Sequence, residues 1–546
     1  MAETKREIER KYDVGADAAL PDLTGVAGVA DVVHKGVVEL DATYWDTPDQ
    51  RLAASSVTLR HRTGGADAGW HLKLPVALAD GVRDEIHAPL SPDVPRSLLG
   101  LVRSRVREAE LIPVVRLLSA RDLRHLVDER GALLAEVSID GVVAERLTGS
   151  GATAEWSEVE VELADDGDPA LLDKVEKKLK KAGVRRSDLP SKLSRALAET
   201  ADAPPRENEA RAVRSGKSDK KADKKADRKA DKKAGKKEAV AEAVKEAVGE
   251  GTGTAGDHVL AYLRAQRDAL IALDPDVRRD LPDSVHQMRV ATRRMRSAFK
   301  SFRKILDRTV TDPIGDELKW LAGELGVDRD QEVLTERLTS RIGAVPRTLL
   351  LGPVRGRLRI WTVARRSGSR RRTLALLDGK RYLALLESVE ALLAAPPLLP
   401  AADAPVGKAL PKAVLKDYRR LAARVEHALD LPPGEQRDVA MHEARKAAKR
   451  ARYAGEAATP ALGKPAKRFA KRMKAVQSVL GDHQDSVVAR DALRTLAIQA
   501  HLAGETAFTW GLLYGQEEAA AADRERELPG VWAKASKAKL RAALSS

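Results

Sequence analysis

The 546-residue chain contains no cysteine, which excludes disulfide cross-links and thiolate-bound metals. Aromatic residues make up only 3%, too little for the stacking platforms that hold single-stranded nucleic acid. No apolar run is long enough to span a bilayer, and Met1-Ala2-Glu3-Thr4-Lys5 lacks the apolar stretch of a signal peptide. The expectation is a soluble, cytoplasmic protein without a membrane partner. Charge, by contrast, is abundant. There are 96 Lys and Arg against 81 Asp and Glu, a net +15, which points to a polyanionic partner: nucleic acid, polyphosphate or an anionic surface. The length suits roughly two to four domains, and a hydrophobic share of 43% is enough for real cores.

The first 200 residues read mostly as strands, near 5–13, 37–46, 56–64, 68–75, 82–88, 112–127, 133–147 and 154–163, with helices near 95–107, 169–182 and 190–199. Asp140-Gly141 reads as a hairpin turn. So many antiparallel strands predict a barrel. In Glu7-Ile8-Glu9-Arg10-Lys11 the alternation places Glu7, Glu9 and Lys11 on one face of a strand. Such a face either lines a wet cavity or is an exposed edge. The pattern then recurs: Arg60 and Arg62, Lys73, Arg83 with Glu85, Arg121, Asp140, and Glu158, Glu160 and Glu162 alternating with Val159 and Val161. A barrel lined by an acidic and a basic cluster cannot be a dry core, because unpaired buried charge is too costly. It suits a tunnel in which divalent cations bridge carboxylates to phosphate oxygens.

The ordered motifs carry a family resemblance: Glu7-x-Glu9-x-Lys11, Tyr44-Trp45-Asp46-Thr47, Leu59-Arg60-His61-Arg62, Leu72-Lys73, Glu158-Val159-Glu160-Val161-Glu162 and Ser191-Lys192-Leu193. Over about residues 3–200 the chain resembles a CYTH domain, the triphosphate tunnel metalloenzyme family. The resemblance implies metal-binding at Glu7, Glu9, Asp140, Glu158 and Glu160, with Glu162 in the same alternation. It implies triphosphate-binding by Lys11, Arg60, Arg62, Lys73, Arg121 and Lys192, with Arg83 as a further candidate, and a catalytic set of Glu7, Glu9 and Lys11. The implied chemistry is phosphoanhydride cleavage with Mg²⁺ or Mn²⁺. Family members cleave inorganic triphosphate or thiamine triphosphate, or cyclise ATP. Because no aromatic signal marks a base or ring pocket, inorganic triphosphate is the expected substrate.

Residues 201–256 hold a near-repeat of Lys-Lys-Ala-Asp and lack apolar periodicity, so they read as a disordered linker with one short helix near 238–248. From 257 the reading turns to helices, organised by an internal repeat. His286-x-x-Arg289-x-x-x-Arg293-Arg294-x-Arg296 returns as His442-x-x-Arg445-x-x-x-Lys449-Arg450-x-Arg452, and Leu325-Gly326…Asp330 returns as Leu480-Gly481…Asp485. At 100° per residue His286, Arg289, Arg293, Arg296 and Lys300 share one stripe, while Met288, Met295, Phe299 and Phe302 face a core. Residues 284–304 contain no acid, so nothing local relieves the repulsion, and an anion-binding face is favoured over a merely solvated one. His286 and His442 acting as metal ligands with Asp330 and Asp485 is the alternative. Over about 257–535 the chain resembles a CHAD domain, a conserved-histidine α-helical domain, and the resemblance implies polyphosphate binding through His286, Arg289, Arg293, Arg296, His442, Arg445, Lys449 and Arg452. Lys464, Lys467, Arg468, Lys471, Arg472, Lys474 and the run Arg355, Arg357, Arg359, Arg365, Arg366 extend the candidate patch.

The expectation is therefore an α+β multidomain protein: an antiparallel β-barrel tunnel over 1–200, the linker, and an all-α domain of two pseudo-symmetric repeats over 257–540. Its expected function is a metal-dependent triphosphatase coupled to polyphosphate binding, cytoplasmic and associated with polyphosphate granules. The competing expectation is a non-enzymatic polyphosphate-binding or granule-associated protein whose barrel binds without turnover. Nucleic acid ranks last, since no recognition motif accompanies the charge.

Overall fold

The computed structural model describes residues 3–15, 20–76, 81–149, 151–201, 253–366 and 369–545, the side chains of 3, 328–329, 364–366 and 369 excepted. The chain divides into two compact units. The linker expected over 201–256, with its short helix, falls almost wholly on residues 202–252, outside the described residues.

In the N-terminal unit the strands are β1 (Glu3–Val14), β2 (Asp31–Asp46), β3 (Thr58–Thr63), β4 (Gly69–Pro75), β5 (Val82–Ala88), β6 (Ile112–Val127), β7 (Leu133–Arg146) and β8 (Thr153–Leu163), with a two-residue β9 (Arg185–Arg186). They are hydrogen-bonded in the order β5-β4-β3-β2-β6-β7-β8-β1-β9, and a β1–β5 pairing closes the first eight into an antiparallel barrel. β1 does this by dividing itself: Glu3–Ile8 pairs with β5 and Glu9–Val14 with β8.

Alternation along each strand sorts the side chains. Outward, Tyr12, Val137, Val159 and Val161 pack under α3 (Ala170–Lys181), while Leu59, Trp70, Leu72 and Ile86 pack under α2 (Arg96–Val106). Inward, the charged residues face one another over part of the barrel, and past them the same parity turns apolar. Tyr44, Val115, Leu117, Val142, Ala144 and Trp156 close that end together with Leu193 and Ala196 of α4 (Lys192–Glu199). The motif residue Asp46 plays a structural part. Buried, it accepts from the backbone N–H groups of Thr47, Leu52 and Ala53 and so anchors the short helix α1 (Arg51–Ala54). Asp140-Gly141 is not a turn. Both residues lie inside β7, in register with Arg121 and Ala120 on β6 and with Glu158 and Ser157 on β8. The pair imitates turn chemistry, but its aspartate is held in the barrel by cations on neighbouring elements.

The C-terminal unit is helical: α5 (Ala255–Arg278), α6 (Ser284–Ser301), α7 (Arg308–Glu324), α8 (Gly326–Ala344), α9 (Val354–Arg366), α10 (Ser369–Asp378), α11 (Lys380–Ala394), α12 (Val406–Asp430), α13 (Glu435–Leu502), α14 (Phe508–Ala535) and α15 (Ala538–Ala542). α13 is two arms joined at Gly463, whose φ of 60° breaks the helix between Pro460 and Pro465. The arms run antiparallel, with His442 meeting Gln484 and Arg452 meeting Gln477. In the first repeat α6 packs against α7 and the start of α8 in the same sense, Arg289 meeting Gly326 and Phe299 meeting Gly315. The expected core face holds: Met288, Met295, Phe299 and Phe302 are buried, as are Ala444, Ala447 and Ala451 behind the second stripe. No described helix is long and apolar enough to cross a membrane.

Candidate functional sites: a charged barrel interior and a basic helical face

The barrel interior gathers its charges from eight elements. From β1, Glu7 and Glu9 are 4% and 5% exposed, and Lys11 reaches Glu160 and lies 3.3 Å from Glu9. From β7 and β8, Asp140, Glu158 and Glu160 bring carboxylate oxygens within 4.8 Å of one another. Lys192, delivered by α4, places its ammonium 2.9, 2.7 and 2.6 Å from these three carboxylates. Arg121 on β6 forks onto both oxygens of Asp140 at 2.7 and 2.8 Å and reaches Glu160 at 3.1 Å. Across the cavity Lys73 lies 2.6 Å from Glu7 and 3.8 Å from Glu85. Arg60 stands 3.6 Å from Glu85 and donates to the Tyr44 hydroxyl at 3.4 Å.

Confinement shows in the protonation equilibria. Burial, assisted by Glu85 and only partly offset by Lys73, pushes Glu7 up to about 8. Glu85 goes the other way: burial is outweighed by Lys73, His71 and Arg60, and its carboxyl is held far below the usual range. Burial would also raise Glu9, Asp140 and Glu160, yet each is lowered, by Lys11 and Lys73 for Glu9, by Lys192 and Arg121 for Asp140, and by Lys11, Lys192 and Arg121 for Glu160. Arg62 is depressed to about 9 by burial beside Arg60 and Arg121. Three hard oxygens at close spacing suit a small divalent cation, so the residues present fit the metal dependence of the family implied by the sequence.

The expected residues divide accordingly. Glu7, Glu9, Lys11, Arg60, Lys73, Arg121, Asp140, Glu158, Glu160 and Lys192 converge. Arg62 pairs with Asp67 beyond its own strand, and Arg83 donates to the Pro190 carbonyl at 2.6 Å, just ahead of α4. Glu162 pairs with the half-exposed Lys5 at 2.7 Å, outside the triad. Three participants escaped the expected set. Glu85 and Tyr44 are described above, and His71, 3.0 Å from Glu85, is lowered to about 4 by burial and by Arg60 and Arg62. For Glu85 the signal was present: it alternates with Arg83, so one inward residue implied the other.

In the helical unit the two stripes meet. Lys449 lies among Arg445 of its own repeat and Arg293 and Arg289 of the other; burial and these neighbours, against Asp485, lower it to about 7. Farther along, Arg296, Arg303, Arg420 and Arg450 form a second basic neighbourhood, where burial and mutual repulsion lower Arg450 despite Asp417. Arg420, on α12, was not foreseen. Arg452 turns inward, 8% exposed, bonded to Glu456 at 3.0 Å and Gln477 at 2.9 Å. His442 donates from Nδ1 to the side-chain oxygen of Gln484 at 2.6 Å, while Asp330 and Asp485 pair with Arg289 and Arg445. The histidine–aspartate metal alternative therefore has no grouped ligands among the described residues. A different group, Asp438, His483 and Glu525, is close-set, but Arg490 and Arg437 hold its carboxylates at 2.7 Å each. Arg357 is tied to Glu505 at 2.6 Å, and the side chains of Arg365 and Arg366 lie outside the described residues.

The chain thus joins a barrel with a charged interior to a helical repeat with a basic face. Residues 5–197 match the CYTH domain and residues 261–494 match the CHAD domain. The chain is 35% identical over 540 residues to the uncharacterized protein Rv2226 of Mycobacterium tuberculosis H37Rv, covering 95% of this chain and 94% of that one. It is also similar to PptA from Streptomyces chartreusis (22% identity, 52% of this chain, 100% of that chain, TM-score 0.44). A CHAD domain structure from the plant Ricinus communis is likewise similar (24%, 55% and 94% coverage, TM-score 0.40). The chain belongs to the family of proteins in which a CYTH domain is followed by a CHAD domain.

Proposed function

We propose that the barrel is a metal-dependent triphosphatase, with inorganic triphosphate as its preferred substrate, and that the helical unit binds inorganic polyphosphate. The observation that carries the reading is the meeting, inside one cavity, of the Asp140–Glu158–Glu160 triad with the cations Lys11, Arg60, Lys73, Arg121 and Lys192. Glu7, Glu9 and the triad would hold Mg²⁺ or Mn²⁺, which would supply charge neutralisation and an activated water. Lys11, Lys73, Arg60 and Arg121 orient the phosphoryl oxygens, and Arg121, already presenting its planar fork to Asp140, is shaped for bidentate contact. Of the inward rings among the described residues, Tyr44 is engaged by Arg60, His71 by Glu85, and Trp156 donates to Glu158 with Arg195 over its face. Nothing in that set is left to stack on an adenine or thiazolium ring, which favours the ring-free substrate.

The basic face suits polyphosphate for a different reason: a chain without bases offers only charge, and the face offers little else. Retention at polyphosphate granules follows from that affinity. A barrel that binds without turnover is the second reading, favoured by one observation: Lys192 already pairs with all three carboxylates of the metal-ligand triad. Phosphate release from the purified full-length protein decides between them. Triphosphate, ATP, thiamine triphosphate and long-chain polyphosphate are assayed with and without Mg²⁺ or Mn²⁺. Metal-dependent turnover greatest on triphosphate is expected, and binding without release on all four would favour the second reading.

A further inference from the structure

In the two repeats Arg289 and Arg445 are handled alike. Each guanidinium lies over a glycine of the facing helix. A Cβ at Gly326 would come 2.7 Å from Nη2 of Arg289, and one at Gly481 would come 3.6 Å from Nη2 of Arg445. One turn beyond each glycine an aspartate faces the same guanidinium. Asp330 takes both terminal nitrogens of Arg289, at 3.0 and 3.3 Å, and Asp485 stands 3.6 Å from Arg445. Between these paired arginines lie Arg293 and Lys449, which form no salt bridge among the described residues. The bidentate edge that Asp330 occupies is the edge a phosphate would use.

We propose that Asp330 and Asp485 are built-in counter-anions of the basic face, seated where two phosphates of an entering chain bind and displaced when it arrives. The inference rests on the polyphosphate-binding reading and adds to it a specific competition. Arg293 and Lys449 capture the chain first, and Arg289 and Arg445 join as the carboxylates leave. The looser of the two pairs, Arg445–Asp485, gives way first. Asp330 is 75% exposed on its side chain, so once released it is received by water. Each carboxylate thus weakens chain binding while keeping its arginine extended over the glycine.

The experiment is a pair of double-mutant cycles in the full-length protein, with long-chain inorganic polyphosphate as the probe and affinity read by calorimetry at fixed pH and salt. An exposed ion pair lost on binding corresponds to about 1.4- to 5-fold in affinity, so Asp330→Asn and Asp485→Asn should each tighten binding by that order. Asp482→Asn supplies the control: Asp482 is exposed, lies in the same block and forms no salt bridge among the described residues, so it reports the general field alone. The diagnostic is the cycle sign. Arg289→Ala should weaken binding more in the Asp330→Asn background than in the native one, and likewise for Arg445 with Asp485. The opposite sign, or a loss of affinity in Asp330→Asn, would make the carboxylates positioning groups and overturn the proposal. Equal tightening by Asp482→Asn and Asp485→Asn would overturn it in favour of a field effect. If Arg289→Ala and Arg445→Ala leave affinity unchanged in every background, the polyphosphate reading itself has failed.

Discussion

Glu7 and Lys449 are charged groups whose surroundings favour the neutral state, and each gives a pH-dependent consequence. Glu7 titrates near 8 in the folded protein against an ordinary 4.5. Between those values the folded chain holds a proton that the unfolded chain has lost, so stability falls as pH rises through that window. Glu7→Gln removes this liability. The metal-free variant should melt higher than the native protein at pH 8, by an amount on the order of a few kcal/mol, and equally at pH 4.5, while metal-dependent hydrolysis is abolished. Calorimetry at the two pH values checks the first part and phosphate release the second. Lys449 titrates near 7, so it gains charge as pH falls through neutrality. Polyphosphate affinity should rise from pH 8 to pH 6.5, and Lys449→Arg, charged throughout, should bind with little change over that range. His442 is lowered below its ordinary value by burial and by Lys446 and Arg445. A binding curve in Lys449→Arg that keeps the native pH slope would assign the effect elsewhere.

At the scale of elements, α4 is the piece on which the barrel site depends. Leu193 and Ala196 bury against Trp156 and Val142, and that packing is what delivers Lys192 to three carboxylates. Leu193→Ala should destabilise the N-terminal unit by about 2–4 kcal/mol and lower turnover more than its distance from the charged residues suggests; urea denaturation alongside steady-state kinetics measures both. The paired stripes of α6 and α13 are the matching element pair in the helical unit. Removing Arg289 with Arg293, or Arg445 with Lys449, should weaken polyphosphate binding and flatten its salt dependence, by roughly 0.7 per lost phosphate contact on the single-strand analogy, with hydrolysis nearly unchanged.

Elements were also where the sequence was most legible. Period-two alternation, as in Glu158-Val159-Glu160-Val161-Glu162, reports which face is wet and which is dry, so the barrel strands and their inward charges could be read directly. What alternation cannot report is which spatial neighbour claims a side chain. Asp140-Gly141 looked like a turn because its partners Arg121 and Lys192 lie on other elements, Arg452 left its stripe for Gln477 and Glu456, and the glycine–aspartate block of the repeat gave no hint that it cradles an arginine.

For the whole molecule, two units with separate hydrophobic cores should be separable. A fragment ending at Ala201 should fold and hydrolyse triphosphate at a rate comparable to the full chain, while losing polyphosphate affinity. Circular dichroism and phosphate release test this, and a folded fragment without turnover would show that the helical unit completes the barrel site. A last consequence concerns the making of the protein. β1 holds Glu7 and Glu9 and is also the strand that closes the barrel, between β5 and β8. Within the barrel, the strand made before the other seven is therefore the last to find both neighbours. At about 5–20 residues per second, roughly 8–30 seconds separate the emergence of Glu7 from that of Glu160. Throughout that interval Ile8 and Tyr12 face an incomplete outer core, because Val159 and Val161 of β8 and the residues of α3 have yet to be synthesised. Substitutions in β1 therefore act on the yield of folded chains through this waiting period, apart from any effect on the finished barrel.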